Sequence, residues 1–164
     1  MTTSILATVD PARSRVEART GEGRAVVMDT DPPEGDGSGA RPKEVLLSAL
    51  AGCTSMDVAS ILRKKRQSAT GYRVAVHGES VKDHPRVFTA ITVEHRVEGE
   101  VEAEALRRSI ELSSTRYCPV NAMLSAGATE VHHRYVVTKT GAGAFEAEGE
   151  VIVTGPYRRP DIVD

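Results

Sequence analysis

The sequence contains no tryptophan, and aromatic residues make up only 4% of its 164 positions. Base-stacking platforms need aromatic rings, which argues against single-stranded nucleic-acid binding. An excess of charge is also missing: 21 basic residues against 23 acidic ones leave a net charge of −2 at pH 7. A chain so balanced has no electrostatic pull toward a phosphate backbone or an anionic lipid surface. No apolar run approaches the ~20 residues needed to span a bilayer. The start, "MTTSILATVDPARSR", lacks the basic segment and long apolar stretch of a signal peptide. The expected setting is the cytoplasm, without a membrane or nucleic-acid partner. Cysteine is scarce as well: only Cys53 and Cys118 are present. In a reducing compartment two cysteines are not expected to form a permanent staple, which leaves buried thiols, metal ligands or redox groups.

The length favours one domain with a real core, 1–164. "ILATVD", "SRVEAR" and "RAVVMD" read as strands, with the turn "TGEG" before the third. Thr30 to Ala40, "TDPPEGDGSGA", is a loop by composition, near the length at which loops are functional or mobile. Proline suits the first helical position, so a helix is expected from Pro42 to Gln67. Its apolar residues form a wide surface rather than one stripe, which predicts a helix buried on most sides. Around Cys53 the residues are small (Ser48, Ala49, Ala51, Gly52, Thr54, Ser55) and permit close approach of another backbone. Period-two stretches come after Gly71, "YRVAVHGESV" and "RVFTAITVEHRVEG", joined at "KDHP". "VEAEALRRSIELSSTR" is helical, a short helix runs after Cys118 from Pro119 to Ala126, and "EVHHRYVVTKT" is a strand. After Gly141 a short strand and an irregular tail are expected. Strands, buried helix, strands, helix and strand make an α+β chain rather than a regular βαβ alternation.

Phosphate-binding loops, dinucleotide fingerprints and nucleophile elbows are absent from the sequence. His132 and His133 are neighbours on a strand and point to opposite faces. His77, His84 and His95 have no partner at a zinc-like spacing, so all five histidines read as structural or surface residues and no metal or cofactor is expected. The carboxylates show no pairing. Cys53, taken alone, reads as a small buried apolar residue. Cys118 precedes a proline at a helix start, where the positive dipole end, with Arg116 nearby, favours a thiolate. The two cysteines lie 118 − 53 = 65 positions apart, and spacing alone does not bring them together.

"RPKEVLLSALAGCTSMDVASILRKKRQ" and, later in the chain, "YCPVNAML" resemble the OsmC and organic hydroperoxide resistance family, closest to its OsmC-like branch with a Gly-Cys-Thr-x-Met-Asp helix. The resemblance covers roughly Ile5 to Thr140 and leaves 141–164 as a C-terminal extension. It implies an α+β fold in which two protomers interlock, with central helices wrapped by antiparallel sheets. It implies further that Cys53 attacks an organic hydroperoxide, that Cys118 resolves the sulfenic acid into an internal disulfide, and that a lipoyl-type dithiol restores both thiols.

In the peroxidase members an N-terminal arginine and a glutamate directly after the helix-opening proline activate the thiolate. Here Lys43 comes directly after Pro42, and Glu44 one place later, a rotation of about 100° on a helix. Glu44 is the nearest equivalent. Arg13, Arg15, Arg19 and Arg24 are the arginine candidates, with Arg15 taken as the assignment. An apolar wall of Leu46, Leu50 and Met56 is expected to favour organic peroxides. The competing readings are a non-catalytic or sensor-like domain that binds a small apolar ligand at the dimer interface, and a structural dimer with inert thiols.

Overall fold

The computed structural model describes residues 2–140 and 143–155. They fall into two compact units that divide between Ser48 and Ala49.

In the first unit, β1 (Ile5–Asp10), β2 (Arg15–Thr20) and β3 (Ala25–Met28) form an antiparallel three-stranded sheet in chain order. Ile5 pairs with Thr20, and Val16 with Met28. The "TGEG" turn closes where expected, with Gly23 at φ +83°. The segment after β3 is organised around Asp29, whose carboxylate accepts the Thr30 and Ser38 N–H groups and the Ser38 hydroxyl. Gly35 packs so closely that a Cβ there would overlap Thr30 O and Asp29 Oδ1. Helix α1 (Pro42–Lys64) starts at the proline. Glu44 Oε2 accepts the Arg41 N–H at 2.8 Å, the glutamate half of a capping box.

The second unit holds the rest of α1, then β4 (Ser68–Ser80), β5 (Phe88–Glu100), α2 (Ala103–Leu112), a π-helical turn (Ser113–Tyr117), α3 (Pro119–Ser125), β6 (Glu130–Lys139) and β7 (Phe145–Thr154). The sheet order is β4-β5-β6-β7. β4 and β5 form an antiparallel hairpin, β5 and β6 run parallel, and β7 pairs antiparallel with β6. The parallel step needs a crossover, which α2, the π turn and α3 supply. On β5 the odd positions from Ile91 to Gly99 are buried and the even ones are not, as period two requires. Val58 and Leu62 of α1 join Leu106 and Ile110 of α2 over Val97, Val101 and Val137 to make the core. Each such side chain contributes roughly 1.5–3 kcal/mol by leaving water. The α+β class is as expected, with three α-helices and two sheets among the described residues. The expected helix over 101–116 is instead α2 plus the π turn, and the tail 156–164 lies outside the described residues.

One expectation for α1 is corrected. At 23 residues it is long and apolar enough to cross a membrane by length and composition. In the single chain its buried positions are Leu50, Thr54, Val58 and Leu62, a stripe at spacing four, while Met56 is 74% exposed.

Candidate active site: a buried dithiol

Cys53 lies midway along α1 and is half-buried; Cys118 caps α3 and is 3% exposed. Between α2 and α3 the chain makes a π turn, in which the Cys118 N–H reaches back five residues to Ser113 O at 2.8 Å. Such turns insert an extra residue into a helix and re-aim the side chains beyond it. Ser113 also fastens the turn to α1: its hydroxyl donates to Asp57 Oδ2 at 3.0 Å and meets Thr54 Oγ1 at 3.1 Å. Thr54 and Asp57 lie just beyond Cys53 on α1, so the same clasp that seats Ser113 delivers Cys118 to Cys53. The Cys118 thiol donates to Cys53 Sγ at 2.7 Å. A shift of well under about 1 Å separates this contact from a disulfide bond.

Burial, then the bond to Cys53, push the Cys118 thiol up to about 12, and the Asp57 charge adds to the effect. The Asn121 N–H donates to Cys118 Sγ at 3.3 Å and acts in the opposite sense. This corrects the helix-dipole expectation. The helix-start N–H is present and pulls as expected, but desolvation outweighs it. Arg116 brings no help; its guanidinium lies over the Tyr117 ring, 5.8 Å from the centroid.

Asn121 is itself fixed from three sides. Its Nδ2 donates to Ser114 O at 2.9 Å and to Thr154 Oγ1 at 3.1 Å, which leaves Oδ1 to accept from His133 Nε2 at 3.0 Å. His133 stacks on His95 with centroids 5.9 Å apart, and His95 Nδ1 bonds the Tyr72 hydroxyl at 2.7 Å. Both imidazoles are fully buried. Burial pulls His95 down to about 3, with His133 as the second cause, and His133 down to about 4, with His132 second. His132 faces the other way and meets Glu130 at 3.3 Å, as alternation along the strand predicts.

Of the four residues assigned from sequence, the fold brings Cys53 and Cys118 together. Arg15 and Glu44 belong to the first unit, Arg15 paired with Asp10 at the start of β2 and Glu44 capping α1. Sequence reasoning missed Asp57, Ser113, Asn121 and the His95–His133 pair. Only Asp57 left a trace, since it lies one helical turn after Cys53, at i+4. The expected apolar wall is also revised. Leu50 is fully buried, whereas Met56 lines a cleft of about 400 Å³ with Ala51, Gly52, Ser55, Ala59 and Tyr72.

Cys53, Asp57 and Cys118 present one ligand atom each within 4.8 Å of one another. Two thiolates on one tetrahedral zinc would stand roughly 3.8 Å apart, given Zn–S of about 2.3 Å. The 2.7 Å between these sulfurs is too short for that. It suits sulfur–sulfur bond formation.

An α+β chain whose two thiols touch at a helix start defines a dithiol protein of redox-competent geometry. The family model described as OsmC-like protein matches residues 35–134. The chain belongs to that family. It is 35% identical over 116 residues to Protein YhfA of Escherichia coli (strain K12), covering 70% of this chain and 84% of that protein. Its fold resembles an OsmC-like protein from Mycoplasma pneumoniae at TM-score 0.71 and 18% identity, covering 86% of this chain and 99% of the other. It also resembles the organic hydroperoxide resistance protein OhrB of Bacillus subtilis at TM-score 0.58 and 14% identity, covering 82% and 98%.

Proposed function

We propose that the chain is a thiol-dependent peroxidase that reduces organic hydroperoxides in the cytoplasm as a single OsmC-like domain. The observation that carries the reading is the Cys118–Cys53 contact at 2.7 Å between the two sulfurs. Cys53 Sγ attacks the terminal peroxide oxygen; the O–O bond breaks, the alcohol leaves, and Cys53 becomes a sulfenic acid. Cys118 then attacks that sulfur, water leaves, and an internal disulfide forms. A lipoyl-type dithiol reduces the disulfide and is itself oxidised. Family membership, and a solved neighbour named an organic hydroperoxide resistance protein, support the reading.

The working form is a homodimer. The single buried stripe of α1 and the 74% exposure of Met56 support a second copy as the cover for the remaining apolar face. Arg15 and Glu44 are the proposed activators of the Cys53 thiolate. Intact-mass spectrometry after a short exposure to cumene hydroperoxide, with hydrogen peroxide alongside, tests the mechanism. Wild type should form the internal disulfide. Cys118→Ser should gain one oxygen and go no further at one equivalent. Cys53→Ser should stay unmodified. Wild-type thiols that react no faster than a free thiol sink the enzyme reading.

The cleft lined by Ala51, Gly52, Met56 and Tyr72 supports a second reading, a domain that holds a small apolar ligand beside α1. Retention of such a ligand by protein inert to peroxide would favour it.

A further inference from the structure

We infer that Asp57 is the proton carrier of the resolving step, taking the Cys118 proton as Cys118 attacks and delivering it to the departing oxygen. The inference rests on the peroxidase reading for its place in the cycle. It rests on geometry for the residue.

Asp57 is one turn beyond Cys53 on α1, and its carboxylate reaches within 4.8 Å of both sulfurs. Among the described residues it is the carboxylate that does so. That separation admits one bridging water, which is within reach for a general base. Asp57 is held rather than free, because Ser113 donates to its Oδ2 at 3.0 Å and the same serine receives the Cys118 N–H. Base and thiol therefore hang from one residue. Its other side lines a cleft of about 260 Å³ with Ser60, Ile61, Lys64, Leu112 and Tyr117, which gives the carboxylate access to water.

The chemistry requires such a group. Cys118 is 3% exposed and holds its proton firmly, so it does not attack as a preformed thiolate. The thiolate is the nucleophile in sulfur exchange, so the proton must leave as the S–S bond forms. Cys53–S–OH and Cys118–S–H give Cys53–S–S–Cys118 and water. The S–H and S–O bonds break, and one S–S and one O–H bond form. Asp57 accepts the proton from Cys118 and passes it to the leaving hydroxide, ending as the carboxylate it began as. The same negative charge disfavours a standing Cys118 thiolate, as expected of a base that acts only during the step.

Asp57→Asn keeps the size and the acceptor for Ser113 but removes the basic oxygen. After one equivalent of cumene hydroperoxide, its sulfenic acid, trapped with a dimedone-type probe, should persist about 10²-fold longer than in wild type, the scale of general acid–base catalysis. Excess peroxide should drive it to sulfinic acid. Asp57→Glu should recover part of the rate, and Ser113→Ala, which keeps the base but frees it, should fall between. A second arm needs no peroxide. When an aromatic disulfide reagent labels Cys53, attack by Cys118 expels a second coloured thiolate, and Asp57→Asn should slow that phase by a similar factor. Slowing in this arm with no peroxide consumption by wild type removes the peroxidase reading and keeps the role of Asp57. Wild-type speed in Asp57→Asn in this arm overturns the inference, whatever the peroxide result.

Discussion

Asn121 holds Cys118 through its backbone and the second unit's sheet through its side chain: its N–H meets Cys118 Sγ at 3.3 Å while its Oδ1 meets His133 Nε2 at 3.0 Å. The Cys118 thiol is thus registered against β6 rather than carried on a loose turn. Asn121→Ala keeps the N–H but strands His133, Ser114 O and Thr154 Oγ1 in a buried site. The expected cost is at least about 3 kcal/mol, from three unpaired buried polar groups at about 1–3 kcal/mol each. Urea unfolding measures it. A midpoint unchanged from wild type would show that the network does not anchor α3.

The buried histidines predict acid sensitivity. Both have folded values below the ordinary 6.5, at about 3 for His95 and about 4 for His133. The unfolded chain then binds more protons in the window between, so stability falls as pH drops below 6.5 and the loss levels off near 3. Each histidine contributes up to about 1.4 kcal/mol per pH unit inside its window. Denaturation midpoints at pH 7, 6 and 5 should decline more steeply in wild type than in His133→Gln. Equal slopes would mean that His133 titrates freely in the folded state.

Cys118 predicts the opposite limb. Its thiol is raised from the ordinary 9.0 to about 12, so the folded state keeps the proton that the unfolded chain releases. The contribution is fully present below pH 9 and is lost as pH rises toward 12. Iodoacetamide labelling of the reduced protein, mapped by peptide mass, should modify Cys53 first and leave Cys118 slow at pH 8. Faster labelling of Cys118 would reverse the assigned roles.

Gly35 predicts a packing defect in the first unit. A methyl group there meets Thr30 O and Asp29 Oδ1, so the loop must open. Gly35→Ala should cost about 1–3 kcal/mol, the range for overpacking. The Asp29–Ser38 bonds should loosen with it, seen as faster amide exchange at Ser38. Unaltered protection would show that the clasp tolerates the volume.

Association is the last expectation. Sedimentation at micromolar concentration should show dimer without monomer, and Met56→Lys should weaken it, since Met56 is an exposed apolar residue on α1. A stable, well-folded wild-type monomer would remove the proposed homodimer.

The sequence by itself determined the local elements, because strand and helix periodicities are written in neighbouring residues. β1 to β3, the start of α1 at Pro42, the β4–β5 hairpin and the cap of α3 at Cys118 are all readable from patterns a few residues long. Its two cysteine motifs also carried the family. Tertiary structure decided the chemistry, because the decisive contacts join distant positions. Cys53 meets Cys118 across 65 residues, Thr54 meets Ser113 across 59, and Asn121 meets Thr154 across 33. No period encodes such pairs; they exist only once the crossover closes over α1. The proton on Cys118 is of the same kind. A helix-start N–H is a local feature and was legible, whereas desolvation depends on everything packed above the sulfur, and there it is the larger effect.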